Sequence, residues 1–276
     1  MSSVMRLFIG LAALWGRRCG ASFFDHWLEH EARPLSLHED SAFVRRWSSM
    51  RPAEEESVSS RRRLGSTEVS ASDELIAAAT VDGSDVVIAN DISMEAEILV
   101  EYVSVSISSE TGAVYALVGD GSFRLMHVHY SNMTLSRVLL KGGSSDLGGA
   151  IRLDDLSNAT ISEVIITGND SGETEFSLGA GIAATDGSNV IIVDSVISSN
   201  RAHRGGGAGV YVGTEENGYG TVLTLVDTVV KNNSAGFDGG GLYIRGAQNV
   251  ATCLCQFCVR LRRRRVFVYQ RVLYGE

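Results

Sequence analysis

The feature that most constrains this chain is a spaced repeat. When Gly143, Asn169, Asn200 and Asn233 are aligned, the alignment points lie 26, 31 and 33 residues apart. Eight residues before them stand Leu135, Ile161, Ile192 and Leu225, and ten before them Met133, Ala159, Val190 and Leu223. Three before them stand Leu140, Ile166, Ile197 and Val230. Recurrence of this kind is the signature of stacked structural units, none of which can bury its own apolar face alone.

Parity converts these columns into geometry. Strand side chains alternate from face to face, so positions −10 and −8 share a side. Position −3 is an odd step from −8 and cannot point the same way along one straight strand. The chain must therefore turn near −7 or −6, at Ser136-Arg137, Ser162-Glu163, Val193-Asp194 and Val226-Asp227. A glycine-rich patch and an aliphatic residue follow each alignment point, ending at Ile151, Ile182, Val210 and Leu242, which supplies a second corner and a third strand. The expected fold is all-β, a right-handed parallel β-helix (solenoid) with aliphatic ladders inside. Its corner asparagines should hydrogen-bond from coil to coil. Position −4 is aliphatic too (Leu139, Ile165, Val196, Val229). It is either an outward interaction stripe or, if the corner is off by one residue, part of the core.

Composition agrees with long strand ladders. The only prolines are Pro34 and Pro52, while glycine numbers 30; proline breaks a ladder and glycine turns corners. Met1–Ala21 reads as a secretory signal, with Arg6 before the apolar run Leu7–Trp15, the alternative being an organelle transit peptide or a mis-called start. Residues 22–71 read as a disordered linker or propeptide, in which Arg61–Arg63 offers a processing site. Ser72-Asp-Glu-Leu-Ile-Ala-Ala-Ala reads as a short capping helix with Ser72 as N-cap. The β-helix is expected over 72–250. Residues 251–276 form an atypical basic tail that departs from the repeat: either Val266–Tyr274 folds over the open edge, or, the favoured reading, the end is truncated or mis-spliced.

The segment from Leu117 to Val128, then Met133–Gly143, then Gly148-Gly-Ala-Ile151, resembles the opening coils of right-handed β-helix proteins of the polymorphic outer-membrane-protein and adhesin type, which share the pectin-lyase-like fold. Val230-Lys-Asn-Asn-Ser-Ala-Gly-Phe-Asp-Gly-Gly-Gly-Leu242 resembles their paired Asn-x-Ala and Gly-Gly-Ala-Ile motifs. Gly143 departs from that pattern by replacing the corner Asn. The resemblance implies a fold and lends only modest support to a role, because the motifs are structural. The secreted or cell-surface setting is read from the amino-terminal signal and the glycosylation sequons.

The same fold hosts polysaccharide lyases and glycoside hydrolases, so the sequence must be searched for paired carboxylates. Asp194 and Asp227 occupy equivalent positions on adjacent coils with Glu163 in the same column, where they could act together or share a Ca²⁺. Alternatively, the corner simply favours Asp. Asp154-Asp155 is a second pair, and His203-Arg204 fits an exposed corner. Cys253, Cys255 and Cys258 make too few ligands for a strong zinc site, and no resident metal or cofactor is expected. Asn132, Asn158, Asn169 and Asn232 head glycosylation sequons.

From Ser66 to Val250 there are 24 Asp and Glu against 8 Lys and Arg, a balance that repels nucleic acid. No transmembrane span is expected, and nothing in the sequence sets an oligomeric state. The reading is therefore a non-enzymatic, adhesin-like or structural β-helix module whose partner is a carbohydrate or a cell-surface protein. The alternatives are a polysaccharide lyase or hydrolase, and the N-terminal fragment of a larger surface protein.

Overall fold

The computed structural model describes residues 65–254, apart from 175–176, 215–218 and 247–249. The expected signal, the arginine triplet, Cys255 and Cys258 lie outside the described residues. Each coil sends one strand to each of three parallel sheets. The first sheet has eight strands: Thr67–Val69, Ser84–Ile88, Ser104–Ser109, Asn132–Ser136, Asn158–Ser162, Asn189–Val193, Val222–Val226 and Val250–Leu254. The second has six, running from Ile92–Ser93 through Val138–Lys141 to Val229–Lys231. The third also has six: Ile98–Glu101, Met126–His129, Ile151–Asp154, Ile182–Ala184, Val210–Val212 and Leu242–Ile244.

The sequence columns are the observed registers. Met133, Ala159, Val190 and Leu223 pair in succession, as do Leu135, Ile161, Ile192 and Leu225. Leu140, Ile166, Ile197 and Val230 form the matching ladder of the second sheet. Ile151, Ile182, Val210 and Leu242 form that of the third. All contribute to one apolar interior. The turn between first and second strands is made by one residue in the left-handed region: Arg137, Glu163, Asp194 and Asp227, with φ of 55°, 56°, 48° and 44°. A single αL residue both reverses side-chain parity and bends the chain, which is why −8 and −3 point inward together.

Position −4 faces away from the lumen, as parity requires, yet it is not a free surface. Leu139, Ile165 and Val196 are 6%, 1% and 5% exposed and form, with Ala116, an apolar cluster separate from the interior. Val114, Val118 and Val229 pack against it. Of the two readings the sequence left open, the column faces outward as the corner at −6 requires, yet it is covered: a second, smaller core on the outside of the second sheet.

The structure also moves both boundaries. Thr67–Val69, expected in the linker, pairs with Ser84–Ile88, so the first sheet begins before the helix. At the far end Val250–Leu254 pairs in register with Val222–Val226, so the sheet passes the expected limit at 250. Helix α1 (Ser72–Ala79) puts Leu75 and Ala79 into the interior cluster and closes the lumen. Its N-cap is Ala71 rather than Ser72, and Glu74 Oε2 accepts from the backbone N–H groups of Ser70 (2.8 Å) and Ala71 (3.2 Å). Ser72 Oγ instead accepts from the Glu95 N–H at 3.0 Å, tying the cap to the first coil. No helix among the described residues is long and apolar enough to cross a membrane.

The corner asparagines form a ladder, buried at Asn169 and Asn200 and half-buried at Asn233. Asn169 Nδ2 donates to Asn200 Oδ1 (2.9 Å), and Asn200 Nδ2 donates to Asn233 Oδ1 (3.0 Å). Each Oδ1 also accepts the backbone N–H of the coil before, and each Nδ2 also reaches a carbonyl there: Leu140, Ile166 and Ile197 respectively. Gly143 ends the ladder for a steric reason: a Cβ there would strike the Gly149 carbonyl oxygen and the Leu125 side chain. Asn200→Ala strands several buried partners at once and is expected to cost about 3 kcal/mol. Gly143→Asn is expected to destabilise as well, rather than add a rung. Urea unfolding monitored by circular dichroism checks both, and a stabilised G143N variant would contradict the steric account.

Candidate functional site

The outward face of the third sheet carries the densest chemistry. Pleating alternates its residues in and out, so within Met126–His129 the inward pair is Met126 and Val128, and His127 and His129 face outward. Parallel register sets His127 beside Leu99 on one coil and Arg152 on the next, and His129 between Glu101 and Asp154. Two histidines from one coil therefore meet one carboxylate from the next.

Asp154 is the hub. Its side chain is 5% exposed, against 20% and 23% for His127 and His129. His127 Nε2 lies 3.1 Å from Asp154 Oδ1 and 3.0 Å from Oδ2, and His129 Nδ1 lies 2.9 Å from Oδ1. The Arg152 Nε contacts Oδ2 at 2.8 Å. Burial by itself would raise the Asp154 carboxyl. The bonds from His127 and His129, helped by the charge of Arg152, outweigh it and hold the group at about 2. Around this hub, Asp155 Oδ2 is 3.4 Å from His129 Nδ1 and Glu97 Oε1 is 4.0 Å from His127 Nδ1. Arg124 clamps Glu97 at 2.8 Å while Nε donates to the Leu147 and Gly148 carbonyls.

Beside the hub runs an exposed ridge, at the corner between third and first sheets. Tyr102 and Tyr130 occupy this corner on successive coils, both in the left-handed region, with rings stacked 5.4 Å apart at 7°. They are 68% and 43% exposed. The His129 ring meets Tyr130 edge-on at 4.6 Å. The charge of Asp155 pushes the Tyr130 phenol up, keeping it protonated. Leu156 and Tyr219 continue the line, 51% and 56% exposed, on either side of Gly187. Farther along the same sheet the outward face closes: Tyr211 is buried with Ala183 under Leu147.

The residues expected from the sequence fare differently. Glu163, Asp194 and Asp227 do stack in one column, but they are its αL corner residues, a position Asp tolerates for backbone reasons alone. Among the described residues, three ligand-bearing side chains converge within 4.8 Å only at His127, His129 and Asp154, not at that column. His203 Nε2 pairs with Asp170 Oδ2 at 2.8 Å. Of the sequon asparagines, Asn132, Asn158 and Asn232 are exposed. Asn169 is buried and its amide is engaged in the ladder. Asn132 pairs with Asn158 and Thr134 with Thr160, so two sequons coincide with outward columns of the first sheet.

Sequence reasoning named Asp154 and Asp155 but missed their histidine partners. The available signal was His-x-His, which in a strand places both rings on one face. Joining it to Asp154 required the register of Met126 with Ile151, and the glycine-rich motif that marks Ile151 has no counterpart before Met126, where the chain reads Phe123-Arg-Leu.

A family model described as "Right handed beta helix region" matches residues 80–257, well over half of the chain. The chain belongs to this family. No curated protein and no solved structure matches it. The three parallel sheets wound coil by coil are what membership of this family requires, and the matched span extends past the strand Val250–Leu254.

The depressed Asp154 carboxyl makes a signed prediction. Its stabilisation, on the order of 2 kcal/mol, is present above the ordinary carboxylate value and is lost as pH falls from about 4 through about 2. Asp154→Asn should remove that contribution at pH 7 and should differ little from the parent near pH 2. Urea midpoints measured for both proteins from pH 7 down to pH 2 check this.

Proposed function

We propose that this β-helix is a secreted or surface-displayed binding module without enzymatic activity, and that it takes a glycan chain along the ridge of Tyr102, Tyr130, Leu156 and Tyr219. The carrying observation is that ridge: large apolar side chains exposed at one corner of the coils, interrupted at Gly187 and flanked by His129, Asp155 and Asp154. Exposed aromatic groups held rigid by the backbone lose little entropy on binding. Their apolar surfaces suit the C–H faces of sugar rings, while adjacent carboxylate and imidazole groups can meet the hydroxyl edges. The acidic body favours neutral glycans over uronates or sulfated chains. The amino-terminal signal expected from the sequence supports the secreted setting.

A second reading is favoured by one observation, the crowding of Asp154, Asp155 and two histidines on the same open face, which could serve a polysaccharide lyase or hydrolase. Asp154, ionised at neutral pH, cannot donate a proton to a leaving group, so an acid role would fall to a histidine.

The full chain should be tested on a panel of immobilised neutral and acidic polysaccharides, with new chain ends measured in parallel. Binding to neutral glycans that falls at least tenfold in a Tyr102→Ala, Tyr130→Ala double variant, with unchanged circular dichroism, is the expected outcome. Unchanged binding by that variant would refute the ridge. Release of chain ends that disappears in Asp154→Asn would establish the enzyme instead.

A further inference from the structure

We propose that His127, His129 and Asp154 form a binding site for a divalent transition-metal ion, zinc being the best match to the ligand set. Three donor atoms from two coils are already brought together. His127 Nε2 and His129 Nδ1 both approach Asp154 Oδ1, at 3.1 and 2.9 Å, and the three ligand atoms lie within 4.8 Å of one another. Ligands placed about 2.0–2.1 Å from one tetrahedral zinc stand roughly 3.3 Å apart, so small ring rotations would open the cluster around an ion. The strand that carries both histidines is paired on both sides, which holds the donors in place before any ion arrives.

The donor types select the metal. Two imidazole nitrogens and one carboxylate oxygen suit zinc, copper or nickel; calcium and magnesium prefer shells made of oxygen. Charge favours a cation as well. With neutral imidazoles, Glu97, Asp154 and Asp155 outnumber Arg124 and Arg152 by one.

Neighbouring groups resemble the outer shell that metal ligands need. The Arg152 Nε lies 2.8 Å from Asp154 Oδ2, which it shares with His127, while Oδ1 is within reach of both rings. Glu97 Oε1 stands 4.0 Å from His127 Nδ1, on the side from which a carboxylate would hold the proton on Nδ1 and free the Nε2 lone pair. Asp155 Oδ2, at 3.4 Å from His129 Nδ1, is within reach of a fourth position that water could otherwise fill. Three protein ligands and an open position are the arrangement of zinc sites that act on or bind a further molecule. The site adjoins the tyrosine ridge through His129 but does not depend on what the ridge binds.

The test uses the full chain stripped with a chelator, then titrated with Zn²⁺ by calorimetry and with Co²⁺ by visible absorption. One saturable equivalent is expected, with Co²⁺ bands of a four-coordinate nitrogen–oxygen site and no thiolate charge-transfer band. His127→Gln and Asp154→Asn should each weaken binding at least tenfold. A C253S/C255S/C258S variant should bind as the parent does, since those thiols are the rival ligands. Melting curves without metal establish that each variant is folded, and if D154N is not, H127Q decides. No saturable binding, binding indifferent to H127Q, or binding lost with the three cysteines would each overturn the proposal.

Discussion

Everything in this structure depends on parallel, in-register hydrogen bonding from one coil to the next. A single coil cannot bury its own faces; each inward side chain packs against its counterparts above and below as well as against the other sheets across the lumen. The ladder therefore fixes both the interior and the outward face, because a one-residue slip would exchange the two. The sequence spends glycine and left-handed residues at corners so that strands themselves remain regular. Gly207 shows how tight those corners are: with φ of 65°, its Cβ position would also crowd the Val210 carbonyl.

The asparagine ladder is the polar counterpart of the aliphatic ones. A corner must expose peptide groups that no strand neighbour satisfies, and each Asn side chain supplies both an acceptor and donors for them. The cost of burying an amide is offset because each side chain serves the coil beside it as well as its own. Asn169, Asn200 and Asn233 thus hold in register the corners that carry the loops, while the sheets hold the strands. At Gly143 the chain gives up a rung where backbone and Leu125 approach too closely for any side chain.

Much of this is legible in the sequence itself. The columns at −10, −8 and −3 are the observed registers, and the corner falls at −6 as parity demanded. Legibility failed where one local signal had two physical meanings. Column −4 looked like either core or surface, and is an outer core. The acids at 163, 194 and 227 looked like chemistry and occupy a backbone-defined position. Strand Val250–Leu254 lay beyond the last recognisable motif, because a ladder asks only for backbone pairing and tolerates an altered sequence. The histidine–aspartate cluster was hidden for a different reason: its members belong to columns that point outward, where no periodic demand of the core makes a residue recur.

The same wiring has a consequence for how such a chain can change. His127, Arg152 and Ala183 are successive occupants of one outward rank. If an unequal duplication or deletion removed the coil bearing Ile151–Asp154, the interior would reseal, since Met126 and Ile182 are both aliphatic and share a column with Ile151. On the outside, however, His127 would then face Ala183, and the aspartate would be gone. Loss or gain of a whole coil is thus nearly silent to the fold and wholly audible to the surface. A lineage of such solenoids can keep one architecture while re-dealing its surface chemistry a coil at a time.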